Sequence, residues 1–265
     1  MDVHSRNRNV YRDPETVSYY ASYAHLEPSE LHIFDKYVQP GTDILDIGVG
    51  GGRTTPYLSQ KGRRYLAIDY SEQMISACRQ RFPGVGFEVM DAADMAEIPS
   101  SAFDVAVFSY NGIGYLHPDA VRQSCLREVH RVLRPAGLFI FSLHNSRSLL
   151  ERPRRAGSGV SGIVLGAVKS LAANARRASR RLAGRAFWVG SGYLWSEAHG
   201  GLTFYASTPQ RVLRDLQQTG FTGLENCNED FPRADGPYIT RWYHYVFQKH
   251  ETTDQPVEQT ASRSF

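Results

Sequence analysis

Five short apolar runs, rich in β-branched and aromatic residues, recur along the first half of the chain: ILDI (44–47), YLAI (65–68), FEVM (87–90), FDVAVFS (103–109) and LFIFSL (138–143). Unbroken runs of this length are the pattern of strands covered on both faces, as in a parallel sheet packed between helices. Between them lie stretches with helical spacing, near 53–60, 71–81 and 119–133. Ser71, followed by Glu72 and Gln73 and then by Met74, Ile75 and Cys78, has the form of a capped helix start, and Arg134-Pro135-Ala136-Gly137 stops the helix before the fifth run. Strand and helix in alternation predict a doubly wound α/β fold with parallel strands and right-handed crossovers. A further helix is predicted from Ser29 to Val38, and another from Thr208 to Thr219, closed by Gly220. After it FTGLENCNEDF and YITRWYHYVFQ follow one another with only a Pro/Gly-containing loop between, which predicts an antiparallel pair at one edge of the sheet.

Composition narrows the function classes. A chain of 265 residues, 42% of them hydrophobic, suits one large domain carrying an insertion. No run of about eighteen apolar residues is present, and the N-terminal stretch MDVHSRNRNVYRDPET lacks a secretory h-region, so the expected location is the cytoplasm. Cys78, Cys125 and Cys227 are far apart and show no metal-ligand spacing; they read as reduced thiols, and no metal is expected. The modest net charge of +3 hides an asymmetry: ten Lys/Arg and one acid between Arg147 and Arg185 give that segment +9 and leave −6 for the remainder.

The candidate chemistry starts at ILDIGVGGGRTT, residues 44–55, where four glycines follow the first strand. A glycine turn between strand and helix brings backbone N–H groups and a helix N-terminus to a ligand at the carboxyl ends of the strands. The dinucleotide fingerprint would need glycine where Arg53 stands, and the Lys-Ser/Thr of a phosphate-binding loop is missing. The loop has instead an acid inside its strand, Asp46, two residues before Gly48.

With these pieces in order, the sequence resembles the class I S-adenosylmethionine-dependent methyltransferases from about Ile44 to Asn145, and more loosely from about Thr208 to Gln248. The resemblance implies a Rossmann-like, mostly parallel seven-stranded sheet with an antiparallel edge strand, and S-adenosyl-L-methionine as cofactor; a basic helical insertion after the fifth strand falls outside the shared core. By that likeness Gly48 and Gly50 admit the methionine moiety and Asp46 orders the loop and helps place the amino group. Asp69, ending LAIDYS ahead of Tyr70, accepts from both ribose hydroxyls; Asp91 and Ala92 in VMDAAD hold the adenine. Ser109, Tyr110 and Asn111 border the methyl group, and EVHRVLRPAGLFIF resembles the helix-turn-strand that follows. Arg53 either touches the cofactor carboxylate or stands on a helix surface. SYNG replaces the N-P-P-Y type motif of amino-methylating DNA enzymes, which counts against a DNA base as acceptor.

A methyl group on positive sulfur is already activated, so alignment and water exclusion are the main requirements and a base is optional. The candidate bases are His144, with Asn145 beside it past the fifth strand, His117 after the fourth, and His199; His130 reads as structural. For any one of these histidines a satisfied polar or packing role is the readier reading than catalysis.

The predicted division is an N-terminal lid or helical segment (1–40), a cofactor-binding core (41–146), a basic helical insertion (147–195), the C-terminal part of the same domain (196–250) and a disordered tail (251–265). Tyr11, Tyr19, Tyr20 and Tyr23 either cover the cofactor or pack the following helix onto the sheet. In the insertion, Val164, Val168, Leu171, Ala175, Ala178 and Leu182 recur at four-three spacing beside Arg176, Arg177, Arg180, Arg181 and Arg185, a basic amphipathic helix. Three readings compete for it: a lid recognising an anionic or polar acceptor, which is favoured; a membrane-surface or lipid-substrate contact through 160–185, weakened by the small apolar residues and the absence of aromatics between Ala156 and Ala186; and an RNA-binding face, weakened by the lack of interleaved aromatics. Phe187, Trp188, Tyr193, Trp195, Phe204 and Tyr205 suit a sugar or aromatic acceptor, or a core beneath the lid. The reading is therefore a methyltransferase acting on an O or N of a small molecule, with RNA or protein methylation and a non-catalytic scaffold as the alternatives; oligomeric state is left open.

Overall fold

The structure is a computed structural model, and it describes residues 2–150, 160–196, 201–233 and 235–251. His199 and the predicted tail beyond Glu251 lie outside the described residues.

The five apolar runs form strands β1 (Thr42–Ile47), β2 (Gly62–Asp69), β3 (Gly86–Val89), β4 (Phe103–Phe108) and β5 (Leu133–His144). They pair in parallel in the order β3-β2-β1-β4-β5. Period-two alternation sends successive side chains to opposite layers. Ile44, Val105, Val107 and Ile140 pack with Ile33 and Phe34, while Leu45, Ile47, Ala106, Phe139 and Phe141 pack with Leu126, Val129, Val212 and Leu216. Each fully buried aliphatic side chain contributes about 1.5–3 kcal/mol.

The helices of these layers are α3 (Pro28–Tyr37) and α4 (Thr55–Lys61) on one side, with α5 (Glu72–Arg81), α6 (Asp119–Val132) and α9 (Pro209–Gln217) completing the described crossovers. Ser71 caps α5, accepting from the Met74 N–H as its sequence implies. The Arg134–Gly137 stretch ends α6 but does not delay β5; Ala136, at φ 60°, makes an irregularity inside the strand instead.

The C-terminal pair is β8 (Phe221–Asn228) and β9 (Trp242–Lys249). β9 runs antiparallel to both β5 and β8, so the antiparallel strand stands one place in from the edge. Among the described residues the sheet has nine strands, two more than the seven expected. The additional two are a hairpin, β6 (Ser191–Ser196) and β7 (Leu202–Ser207), drawn from the aromatic stretch read as pocket or core. β7 joins β5 at His144–Ala206, where β5 has outrun β4, so the hairpin rises over the carboxyl end of the sheet.

Two helices at the N-terminus were not apparent in the hydrophobic pattern: α1 (Val3–Val10) and α2 (Pro14–Ser22). Their starts are nonetheless marked by Asp2 and Asp13, whose carboxylates accept from Ser5 and Thr16 N–H. The basic insertion supplies α7 (Val160–Ala183) and α8 (Arg185–Val189), and its predicted end at 195 falls within β6.

Candidate active site

A cavity of about 1130 Å³, solvent at its mouth included, opens at the carboxyl ends of β1, β2 and β4. Its floor is the glycine turn after β1. Gly48, Gly50 and Gly52 have φ of 63°, 54° and 80°, a region costly for residues with a Cβ. A Cβ on Gly48 would sit 2.6 Å from the Phe108 ring, whereas one on Gly50 would project into open space. The turn is held from beneath: Asp46 accepts from Thr54 Oγ1 at 2.5 Å and from Tyr65 OH at 2.7 Å. Asp69 accepts from Gly50 N–H at 3.0 Å and Ser71 N–H at 2.8 Å, fixing the loop against the end of β2. Burial in this wall pushes both carboxyls up, each to about 6, against those hydrogen bonds.

The structure brings most of the predicted set to this cavity. Asp46, Gly48, Gly50, Arg53, Asp69, Tyr70, Asp91, Ala92, Ser109 and Tyr110 line it. Asn111 is buried between lining neighbours Tyr110 and Gly112. Tyr110 and Asn111 both hold left-handed backbone, φ 52° and 63°, and Asn111 N–H donates to Ser142 Oγ at 2.7 Å. Strain of this kind in non-glycine residues collects at functional sites. Among the described residues the buried Asn111 Oδ1 has no hydrogen-bond partner.

Arg53 lines the cavity and does not stand on an exposed helix surface. It is buried and forms a two-pronged pair with Glu30 of α3, Nη1–Oε2 2.5 Å and Nη2–Oε1 2.6 Å. It also donates to His25 O and Ser109 Oγ, and its guanidinium lies 4.9 Å from the centre of the Tyr110 ring. Burial, the largest single influence, would raise the Glu30 carboxyl, but the hydrogen bonds and charge of Arg53, the nearby His244 and the Glu27 N–H together outweigh it and hold the group at about 2. Glu30 was missed because its only sequence signal, three residues after Glu27, is that of a helix capping box, which it also forms.

The roof is the N-terminal segment. Arg8 of α1 pairs with Asp91 at 2.9 Å and lies over the Tyr70 ring at 4.7 Å. Asn7 donates to Tyr115 O and Thr203 O, tying α1 to the hairpin. Tyr11 and Tyr20 line the cavity with Tyr115, and the Tyr11 hydroxyl bonds with those of the other two. Arg81 donates to Ala21 O at 2.6 Å, and Ser71 Oγ donates to Tyr11 O at 2.9 Å. Tyr19 is half-exposed, and Tyr23 packs on Tyr110.

Neither described candidate base lines the cavity. His144 stands beside it, with Phe204 at 4.4 Å and Trp242 at 6.1 Å between ring centroids, and Tyr115 OH 3.5 Å from Nε2. Burial first, then Arg181, Arg177 and Arg241, lower its pKa to about 3, so the ring is neutral and a poor proton acceptor. His117 packs edge-on against Tyr193 at 4.7 Å. His130 packs against Phe221, the structural role its sequence setting implied.

Residues 44–137 match the family profile of a methyltransferase domain. A probable S-adenosylmethionine-dependent methyltransferase of Mycolicibacterium smegmatis is 31% identical over 105 residues, 40% of this chain and 39% of that protein. Over residues 44–137 the chain is thus similar to a methyltransferase domain. The malonyl-[acyl-carrier protein] O-methyltransferase of Serratia marcescens is 30% identical over 118 residues, 42% of each chain. The chain thus spans less than half the length of these curated relatives. The chain is similar in fold to Burkholderia thailandensis 1,6-didemethyltoxoflavin-N1-methyltransferase, solved with 1,6-didemethyltoxoflavin and S-adenosylhomocysteine. The TM-score is 0.59 at 18% identity, covering 95% of this chain and 92% of that one.

Proposed function

We propose that the chain is an S-adenosyl-L-methionine-dependent methyltransferase that transfers a methyl group to an O or N of a small-molecule acceptor. The observation that carries this reading is the pairing of a glycine floor, with free space above Gly50, and two buried aspartates raised toward neutrality. A cavity wall of that kind fits a ligand bearing positive charge and hydroxyl donors, because both favour the ionised carboxylates. Gly48 and Gly50 would admit the methionine end, Asp69 would accept from the ribose hydroxyls, and Asp91 and Ala92 would face the adenine. When bound, the cofactor supplies an electrophilic methyl group on a sulfonium. Asp46 keeps the turn in shape through Thr54, while Ser109, Tyr110 and Asn111 border the transferred methyl. The roof of α1 and α2 covers part of the cavity, which would limit water and favour a small acceptor. The relative from Serratia marcescens, named as an O-methyltransferase, is consistent with oxygen as one acceptor atom.

Calorimetry with S-adenosylmethionine and S-adenosylhomocysteine tests the cofactor assignment, with micromolar binding of both as the expected result. Incubation with methyl-labelled cofactor and an extract of the source cell, fractionated into small molecules, lipid, RNA and protein, tests the acceptor class. Label in RNA or protein alone would overturn the small-molecule reading, and binding without any transfer would indicate a scaffold.

A further inference from the structure

The insertion helix α7 turns an unexpected face to the protein. Asn174, Arg177, Ala178 and Arg181 are the half-buried positions between Leu171 and Ala183, at the i, i+3, i+4, i+7 spacing of one helix face. Arg177 donates to Ser148 Oγ at 3.3 Å, and the Arg181 guanidinium lies 6.0 Å from the Phe204 ring centre. The polar stripe holds the helix to the body, and the apolar positions Leu171 and Leu182, 69% and 40% exposed, face solvent. The exposed surface continues into α8. Trp188 is 68% and Val189 51% exposed, and the Trp188 indole is fixed by donating to Leu182 O at 2.8 Å. Arg176 and Arg180, farther round the same helix, and Arg185 at the start of α8 are exposed as well.

We propose that this face, formed by α7 and α8, docks onto an anionic lipid bilayer surface. From Arg152 to Ser196 the sequence holds nine Lys/Arg and no Asp or Glu, while the chain outside 147–185 carries −6. A bilayer bearing negative charge attracts the first and repels the second, so the charge distribution selects this face and sets the orientation. The 24-residue helix is about 36 Å long and lies flat, with large apolar side chains beside arginines, the arrangement of an interfacial helix. A fixed, exposed tryptophan at its end suits the headgroup level, where an indole has both apolar contact and water. Among the described residues no helix is long and apolar enough to cross a membrane, so the contact is with the surface. An acidic protein partner would match the positive charge, but the exposed leucines and Trp188 lie on a helix surface, which a fluid bilayer covers without a matching groove. The proposal is independent of the acceptor's identity.

The test is co-sedimentation of the full chain with vesicles of phosphatidylcholine alone and of phosphatidylcholine mixed with phosphatidylglycerol. Binding to the mixed vesicles, weakened by salt, is expected, with Trp188 quenched by brominated acyl chains. Changing Arg176, Arg180 and Arg185 together to Gln should weaken binding about a hundred-fold, from about five-fold for each basic residue near an anionic surface. Leu182→Glu with Trp188→Ser should abolish quenching and most of the binding. Cofactor affinity and far-ultraviolet circular dichroism should stay unchanged in both variants, because the altered side chains lie away from the cavity. No binding to the mixed vesicles, equal binding to both compositions, or undiminished binding of the Leu182→Glu/Trp188→Ser variant would each overturn the proposal.

Discussion

Replacing Glu30 by Gln removes one charge from a pair that joins the N-terminal segment to the glycine turn. Glu30 is 1% exposed and Arg53 8%, so neither charge has water to fall back on. The Glu30 carboxylate accepts from both guanidinium nitrogens, from Glu27 N–H and from Ser109 Oγ, and Gln offers one acceptor where two are used. Two routes give the magnitude. Breaking a buried pair by removing one partner costs about 3–5 kcal/mol. The fall of the Glu30 pKa from 4.5 to about 2 corresponds, at about 1.4 kcal/mol per pH unit, to about 3 kcal/mol. Because the folded-state pKa is depressed, this stability is complete above about 4.5 and is lost as pH falls toward 2. Urea unfolding of wild type and Glu30→Gln should therefore differ by about 3 kcal/mol at pH 7, and the gap should close below about pH 4.5. The double variant Glu30→Met/Arg53→Met should lose less than Glu30→Gln alone, since no unpaired charge is left. A loss below about 1 kcal/mol at pH 7, or a gap unchanged in acid, would show that the pair is solvated and refute the reasoning.

Three further outcomes are expected. Gly51→Ala places a Cβ 2.3 Å from Tyr20 O, so α2 must retreat at a cost of about 1–3 kcal/mol; hydrogen exchange over 13–23 should quicken, and unchanged protection would show that α2 does not seat on the turn. Asp69→Ala should weaken S-adenosylmethionine and S-adenosylhomocysteine alike by about 1.5–3 kcal/mol, and calorimetric affinities equal to wild type in a folded variant would remove Asp69 from the site. Since Asp46 and Asp69 are raised from 3.8 to about 6, their burial penalty grows as pH rises through that window and is full above it; a cationic cofactor relieves it. Affinity should accordingly increase from pH 5 to 7 with proton release near pH 6, read from calorimetry in buffers of different ionisation enthalpy, and absence of proton release would contradict the charge argument.

What could be read in the sequence was set by range. The five parallel strands and the Ser71 cap are written locally, in short apolar runs and one side chain's reach to a backbone N–H three residues on. The glycine turn was legible because positive φ demands glycine at its own position. Arg8 beside Asp91 joins residues 83 apart, and Asn7 reaches Thr203 across 196, so neither partner marks the other in the sequence. Period three to four along α7 correctly gave a helix, but periodicity does not say which stripe packs inward. There the arginine stripe won, because Ser148 and Phe204 supply a polar and an aromatic partner.

The placement of the two described histidines bears on the chemistry itself. A base at pH 7 needs a pKa near the working pH and reach to the acceptor. His144 has neither property: its pKa is lowered to about 3, and it stands outside the cavity walls. His117 is outside them as well, spent on Tyr193. Among the described residues the cavity's remaining carboxylates are Asp46, Asp69 and Asp91, each engaged with the turn, the roof or the backbone. The tyrosines that meet at the roof are pushed to high pKa by burial and by one another, so they donate hydrogen bonds and do not accept protons. An acceptor that is itself a neutral amine, or already ionised, is the kind these walls can serve by alignment alone. Its own pKa, and not that of a side chain, should then set the acidic limb of the rate profile. A limb that stays fixed when acceptors of different pKa are compared would show that the protein supplies the base after all.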